Sequence, residues 1–266
     1  MNIPIYTVDA FTDRPFAGNP AGVCLLETPG DTGWMQSIAR EMNLSETAFV
    51  IRETLPDADF RLRWFTPAVE IDLCGHATLA AAHCLFEDGV SGPIRFATRS
   101  GVLTVSRRPD GSLAMDFPAS PPVRIKPPPG LTEAIGAPIE WAGRTDNGFL
   151  VALVADEQAV RRLTPDIAAV ARFDVFALIV TAAADPGQAY DFVSRVFAPS
   201  VGVDEDPVTG AAHAVLAPYW ADRLRRTSLT GVQVSARSGI VGVEPSGDRV
   251  LISGRAVTMV DGTLYA

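Results

Sequence analysis

The chain has 266 residues, of which 47% are hydrophobic and 20% charged, and its formal net charge is −9. This composition excludes a disordered chain, and the acidic balance argues against a nucleic-acid-binding surface. A sparse, odd set of 3 cysteines, no leader pattern and no bilayer-length apolar run predict a cytoplasmic protein without membrane or nucleic-acid partners.

The first part of the chain is predicted to combine short strands with one amphipathic helix. Strand patterns occur at Ile3–Val8, Val23–Leu26 and Thr47–Ile51. Before the third strand, the apolar spacing predicts a helix that Asp31 or Thr32 caps and Asn43 ends. The predicted loop 9–22 contains Gly18-Asn19-Pro20, which is typical of a tight turn or of a backbone that approaches a ligand.

Glu46 stands at the entrance of the third predicted strand. Alternation places it on the same face as Ala48 and Val50, which are small and apolar. Because glutamate is unfavourable in strands, Glu46 is either a solvated strand end or a carboxylate held at the edge of a cavity.

Two later stretches, Arg63–His83 and Arg195–Val215, resemble each other. The shared positions, in the same spacing, include Arg63, Phe65 and Pro67 in one copy and Arg195, Phe197 and Pro199 in the other. In each copy a strand pattern ends near a proline, and a loop then leads into an alanine-rich helix. The repeat predicts two related halves, each with a helix buried among strands.

A proline-rich segment, residues 118–130, separates the two copies. Proline cannot join a central sheet or a helix interior, so this segment is expected to be a stiff junction. We therefore predict an N-terminal half at 1–120, a junction at 121–130 and a C-terminal half at 131–266. The fold class is predicted to be α+β, with two pseudo-symmetric halves.

The start of each alanine-rich helix is a candidate binding position. Gly75 and Gly210 leave the first N–H groups unobstructed, and such groups attract anions. Asp206 followed by Pro207 is also typical of a helix N-cap, which is one interpretation of its whole role. If a pseudo-two-fold axis relates the halves, the two helix starts are expected to face one crevice and bind a small carboxylate.

Glu46, His76 and Asp206 are all able to transfer protons. The sequence contains no dinucleotide fingerprint, phosphate-binding loop or serine elbow, and the cysteines and histidines near His76 follow no common zinc spacing. These residues predict proton transfer without a cofactor or a metal. Cys74 and His83 are interpreted as packed residues, His83 also as a helix-end residue.

The sequence resembles the PhzF family, the phenazine-biosynthesis-type isomerases with a diaminopimelate epimerase-like fold. The resemblance rests on stretches that span nearly the whole chain: FTDRPFAGNPAGV (11–23), MNLSETAFV (42–50), LRWFTPAVEIDLCGHATLAAA (62–82), RVFAPSVGVDEDPVTGAAH (195–213) and SGRAVTMVDGTL (253–264). It implies two barrel-like halves, each wrapped around its central helix, and a homodimer.

The resemblance also implies roles for single residues. Glu46 matches the catalytic acid/base of the family, and His76 and Asp206 match residues that face the ligand. The predicted substrate-binding residues are Asn19, Gly75, Thr209, Gly210 and Ala211. The phenazine enzyme has a serine where this chain has Ala211, so the phenazine precursor is not a secure substrate.

The expected activity is therefore an isomerase that moves a proton on a small carboxylate-bearing metabolite. Two alternatives stay open: an amino-acid racemase or epimerase, and a protein that binds a metabolite without turning it over. The related epimerases use one thiol from each half, and the second half of this chain has no cysteine. A two-thiol mechanism is therefore not expected.

Overall fold

A computed structural model describes residues 2–53 and 55–265 and divides the chain into two compact units. The first unit extends to Asp116 and includes the chain again from Ser253 onward, and the second is Phe117–Ile252. The prediction differs from this division, since it assigned all of residues 131–266 to the C-terminal half. The last strand pairs with the first, with Leu264 opposite Ile3, so the end of the chain belongs to the first unit.

The structure contains mainly strands. Those up to the unit boundary are β1 (Asn2–Ala10), β2 (Asn19–Leu26), β3 (Glu46–Arg52), β4 (Phe60–Phe65), β5 (Glu70–Ile71), β6 (Ile94–Thr98), β7 (Gly101–Arg107) and β8 (Leu113–Pro118). The following strands are β9 (Val123–Ile125), β10 (Trp141–Arg144), β11 (Phe149–Leu153), β12 (Ala177–Ala183), β13 (Phe192–Ala198), β14 (Val203–Asp206), β15 (Leu229–Gln233), β16 (Gly239–Ser246), β17 (Arg249–Gly254) and β18 (Ala256–Tyr265).

The helices are short apart from three. They are α1 (Thr32–Met42), α2 (Gly75–Glu87), α3 (Leu131–Ile135), α4 (Glu157–Arg161), α5 (Ile167–Val170) and α6 (Gly210–Leu224). Strands with few helices confirm the α+β prediction. Within the described residues, no helix is both long and apolar enough to cross a membrane.

The local signals around α1 are confirmed. The Asp31 carboxylate accepts hydrogen bonds from the N–H groups of Gly33 at 2.9 Å and Trp34 at 3.1 Å, and Asn43 ends the helix at φ 49°. The start of β2 differs from the prediction: it begins at Asn19, within the predicted loop, because residues 19–22 pair with β1.

Helix α2 is the buried centre of the first unit. Its residues from Gly75 to Ala82 are all buried, and it contacts β1, β2, β3 and β18. The helix connects β4 to β6, which pair in parallel. Alanines let the surrounding strands approach the helix closely, as the sequence predicted.

Helix α6 has the same place in the second unit. It connects β13 to β15, which also pair in parallel, and its N-terminal half is almost entirely buried. The predicted N-cap is wrong here: Asp206 ends β14, paired with Val196 of β13, and the helix begins only at Gly210 with Thr209 as its cap. Strand pairing holds Asp206 extended, which prevents the helix from starting at Pro207.

The internal repeat extends to individual contacts. Arg63 donates to both carboxylate oxygens of Glu70 at 2.6 and 2.8 Å, and Arg195 does the same to Glu205 at 2.7 and 2.8 Å. Each guanidinium also lies 5.1 Å from the ring of the phenylalanine two residues further along the chain. The two copies therefore share a three-dimensional motif as well as a sequence pattern.

The proline-rich junction is not wholly irregular. Val123–Ile125 within it forms β9 and pairs antiparallel with β10. Prolines flank this short strand without interrupting it, which is how proline is tolerated near sheet edges.

Candidate active site

Glu46 is the first residue of β3, opposite Ala21 of β2. Its side chain is only 15% exposed, and its Oε2 lies 3.1 Å from Nε2 of His76. The solvated strand end that the sequence left open is therefore wrong. The carboxylate is held against an imidazole at the entrance of a strand.

His76 lies in the first turn of α2, and its side chain is 6% exposed. Both ring nitrogens have polar neighbours. Besides the Nε2 contact with Glu46, Nδ1 lies 3.3 Å from Nδ2 of Asn19 and 3.5 Å from Sγ of Cys74. The first unit therefore brings Asn19, Glu46 and His76 together, and adds Cys74, which the sequence indicated only as a packed residue.

The charges of this cluster affect one another. Burial lowers the pKa of His76, but Cys74 and the Glu46 carboxylate raise it, and the result is a pKa well above the usual histidine value. Burial, together with the nearby Glu46 carboxylate, raises the pKa of the Cys74 thiol. The raised pKa values favour a protonated imidazole ring beside a protonated thiol.

Asn19 is fully buried and follows Gly18, which turns the chain at φ +66°. A Cβ on Gly18 would lie 2.1 Å from the carbonyl oxygen of Ala10, so only glycine fits this backbone. The sequence suggested a turn or a ligand-facing backbone here. The structure shows a glycine turn that sets the Asn19 amide beside His76.

The same cluster meets a distance criterion for metal binding, since one ligand atom each of Glu46, Cys74 and His76 lie within 4.8 Å of one another. Its chemistry fits an ion poorly. Glu46 approaches Nε2 of the imidazole, whereas Cys74 approaches Nδ1, so the two ligands do not share one ring nitrogen. A histidine gives a metal ion one nitrogen, and this arrangement suits proton exchange better.

The second unit contains its own polar cluster. The Thr209 hydroxyl donates to Oδ2 of Asp206 at 2.5 Å. Gln233, fully buried, donates to the Asp206 carbonyl at 2.6 Å and accepts from the Thr209 N–H at 2.9 Å. Of the predicted residues, Asp206 and Thr209 are in contact, and Gly210 and Ala211 follow directly in the first turn of α6.

Sequence reasoning missed Gln233 and His213 in this cluster. His213 is fully buried, and its Nδ1 lies 2.9 Å from the Thr209 carbonyl oxygen. Burial lowers the pKa of His213 to about 4, so the ring is neutral and Nδ1–H donates. A buried glutamine between valines, Val232-Gln233-Val234, was the available signal.

His83 takes no part in either cluster. It is half-buried near the end of α2, and its Nε2 lies 3.0 Å from the Thr258 hydroxyl. This position fits its interpretation as a helix-end residue.

Comparison with known proteins identifies the family. The profile of the family described as phenazine biosynthesis-like protein (PhzC-PhzF) matches residues 8–262. A Pseudomonas aeruginosa protein named as an uncharacterized isomerase is 51% identical over 267 residues, which is 100% of both chains. A crystal structure of a PhzF-family phenazine biosynthesis protein from Enterococcus faecalis has a TM-score of 0.93 at 42% identity, again over 100% of both chains.

A more distant likeness concerns the fold alone. A hydroxyproline epimerase from Agrobacterium vitis has a TM-score of 0.62 at 14% identity and covers 99% of this chain and 92% of its own. These likenesses confirm the expected fold class. The chain therefore belongs to the PhzF family of phenazine biosynthesis-like proteins and is an isomerase.

Proposed function

We propose that this isomerase moves a proton on a small carboxylate-bearing metabolite without a cofactor, with Glu46 as the acid/base. One observation carries the proposal: a largely buried carboxylate lies 3.1 Å from a buried imidazole. A general base works best when it is shielded from competing water, and the Glu46 side chain is only 15% exposed.

His76 is proposed to support Glu46 rather than to replace it. As an imidazolium it stabilises the carboxylate before proton abstraction and donates a hydrogen bond to the group that becomes negative during the reaction. The first N–H groups of α2, at Gly75 and His76, are proposed to bind the substrate carboxylate, because no side chain caps them.

The internal repeat favours a single base over a pair of bases. Thr47, which follows Glu46, pairs with Phe65, just as Leu178 pairs with Phe197 in the second unit. The position equivalent to Glu46 is therefore Ala177, which cannot transfer a proton. A base that both removes and returns the proton is typical of double-bond migration, and this supports an isomerase of that type over a racemase.

Asp206, Thr209, Gly210 and Ala211 are proposed as substrate-binding residues, with Asp206 also able to exchange a proton. The support is the family resemblance and the contact of Thr209 with Asp206. Homodimeric assembly and a cytoplasmic location stay predictions, and light scattering of the purified protein tests the former.

The experiment is incubation of the protein in D2O with a panel of small carboxylates. The panel contains β,γ-unsaturated acids and single enantiomers of amino acids, and products are analysed by mass spectrometry and chiral chromatography. Uptake of one deuterium with a shifted double bond supports the proposal. Deuterium uptake with inversion of an amino acid indicates a racemase instead, and saturable binding without any uptake indicates a binding protein.

A further inference from the structure

The caps of the two central helices depart from the usual capping arrangement. An N-cap side chain normally accepts a hydrogen bond from an N–H group of the first helical turn. Cys74 caps α2 and Thr209 caps α6, both with extended backbone, and neither side chain makes a capping hydrogen bond of full geometry. The Ala77 N–H interacts with the Cys74 thiol without meeting that geometry. The same departure in both copies of the repeat calls for a common physical reason.

Each cap instead directs its side chain to a titratable neighbour. Sγ of Cys74 lies 3.5 Å from Nδ1 of His76, and the hydroxyl of Thr209 donates to the carboxylate of Asp206 at 2.5 Å. A hydroxyl that donates to a carboxylate makes a charge-assisted hydrogen bond, which is stronger than the bond between neutral groups that capping would supply. The thiol sulfur can accept weakly from an imidazolium N–H.

Another side chain contacts the backbone carbonyl of each cap residue. The position of the cap backbone therefore does not depend on a capping bond from its own side chain. In α2 the Thr78 hydroxyl donates to the Cys74 carbonyl at 2.5 Å, and in α6 the imidazole of His213 contacts the Thr209 carbonyl at 2.9 Å. These two partners occupy the same place in the repeat, four residues after the cap. Thr209 is further held through its N–H by Gln233.

We propose that Cys74 and Thr209 are positioning residues whose side chains orient His76 and Asp206, respectively. The proposal rests on the proposed function in treating His76 and Asp206 as groups of the reaction. Cys74 then orients the His76 ring in addition to packing in the core. Thr209 acts on the substrate indirectly, by orienting Asp206.

The roles differ in chemistry. The Cys74 thiol lies 3.5 Å from one ring nitrogen of His76, and Glu46 lies beside the other. The thiol therefore helps to set how readily the ring holds its second proton. The Thr209 hydroxyl donates to one oxygen of Asp206, and a donated hydrogen bond favours the ionised form of a carboxyl group. In both cases a small uncharged group sets the orientation of the titrating one.

The test follows the titrating groups themselves and needs no substrate. The chain has only 3 histidines, so their imidazole signals can be assigned and titrated individually by NMR. In Cys74→Ala we expect the His76 midpoint to move to lower pH, while His83 and His213 keep their parent values. In Cys74→Ser, whose hydroxyl can accept from the ring, the His76 midpoint returns toward the parent value.

For the second helix, the Asp206 carboxyl carbon is titrated in Thr209→Val and Thr209→Ser. Valine has the shape of threonine but no donor, so the Asp206 midpoint is expected to move to higher pH, and serine is expected to restore it. A His76 midpoint unchanged in Cys74→Ala, or an Asp206 midpoint unchanged in Thr209→Val, overturns the proposal for that helix. Because no turnover is measured, a failure of the proposed isomerase activity would be seen separately, in the D2O assay.

Discussion

The Nε2 atom of His76 lies 3.1 Å from Oε2 of Glu46, with the two side chains only 6% and 15% exposed. The raised pKa of His76 means that the ring binds its second proton more tightly in the folded chain than in the unfolded one, so protonation of His76 stabilises the fold. The stabilisation is complete below the unfolded histidine pKa, about 6.5, and is lost as pH rises through the folded value.

Replacing Glu46 by glutamine should therefore lower the free energy of unfolding by about 2 kcal/mol near pH 6, and by progressively less as pH rises. Urea denaturation of the parent and Glu46→Gln proteins across this range measures the difference. Glu41→Gln, an exposed change in α1, is the matched control and should show no such dependence. A deficit that grows with pH would contradict the ion pair.

The turn at Gly18 should be intolerant of any side chain. Gly18→Ala would place Cβ 2.1 Å from a backbone oxygen at φ +66°, so we expect a loss of more than about 2 kcal/mol in unfolding free energy. Because Asn19 follows directly, the His76 imidazole signals should also shift.

Gly89→Ala is the control for this change. Gly89 has φ +87° but no atom within 4 Å of an added Cβ, so it should lose only about 1 kcal/mol through backbone strain. Thermal and urea denaturation of both variants measure the two losses of unfolding free energy. Equal losses would show that the contact with Ala10 does not determine the turn.

The repeated arginines should contribute equally to the stability of their own units. Arg63→Lys and Arg195→Lys each replace a two-pronged guanidinium by an ammonium, and both sites are largely buried, with arginine side chains 19% and 13% exposed. We expect each variant to lose about 1–3 kcal/mol, measured by urea denaturation.

Arg95→Lys provides the comparison. Arg95 also contacts both oxygens of its partner, Asp59, but its side chain is 47% exposed, so less than about 1 kcal/mol should be lost. If Arg95→Lys costs as much as the other two, burial is not what makes the repeated pairs important.

Local signals in the sequence were sufficient where neighbours along the chain decide the structure. Asp31 and Asn43 delimit α1 as predicted, because a cap and a left-handed stop need only the adjacent backbone. The alternation argument for Glu46 and Ala48 agrees with the uninterrupted pairing of β3 with β2. The repeat around Arg63 and Arg195 led to the two central helices.

The errors occur where a distant strand decides the outcome. Asn19 belongs to β2 because it pairs with β1, and Asp206 stays extended because β13 pairs with β14, so neither boundary is visible in the local pattern. The return of the last strand to β1 is likewise a long-range pairing. Gln233 was missed as a site residue because its strand was not predicted.

The most direct test of the account is solvent-deuterium incorporation by Glu46→Gln into a substrate that the parent protein turns over. Glutamine keeps the shape of the side chain but cannot accept and return a proton, so exchange should fall by about 10²–10⁴-fold while Glu41→Gln exchanges at the parent rate. Exchange at the parent rate in a folded Glu46→Gln protein would contradict the assignment of Glu46 as the acid/base.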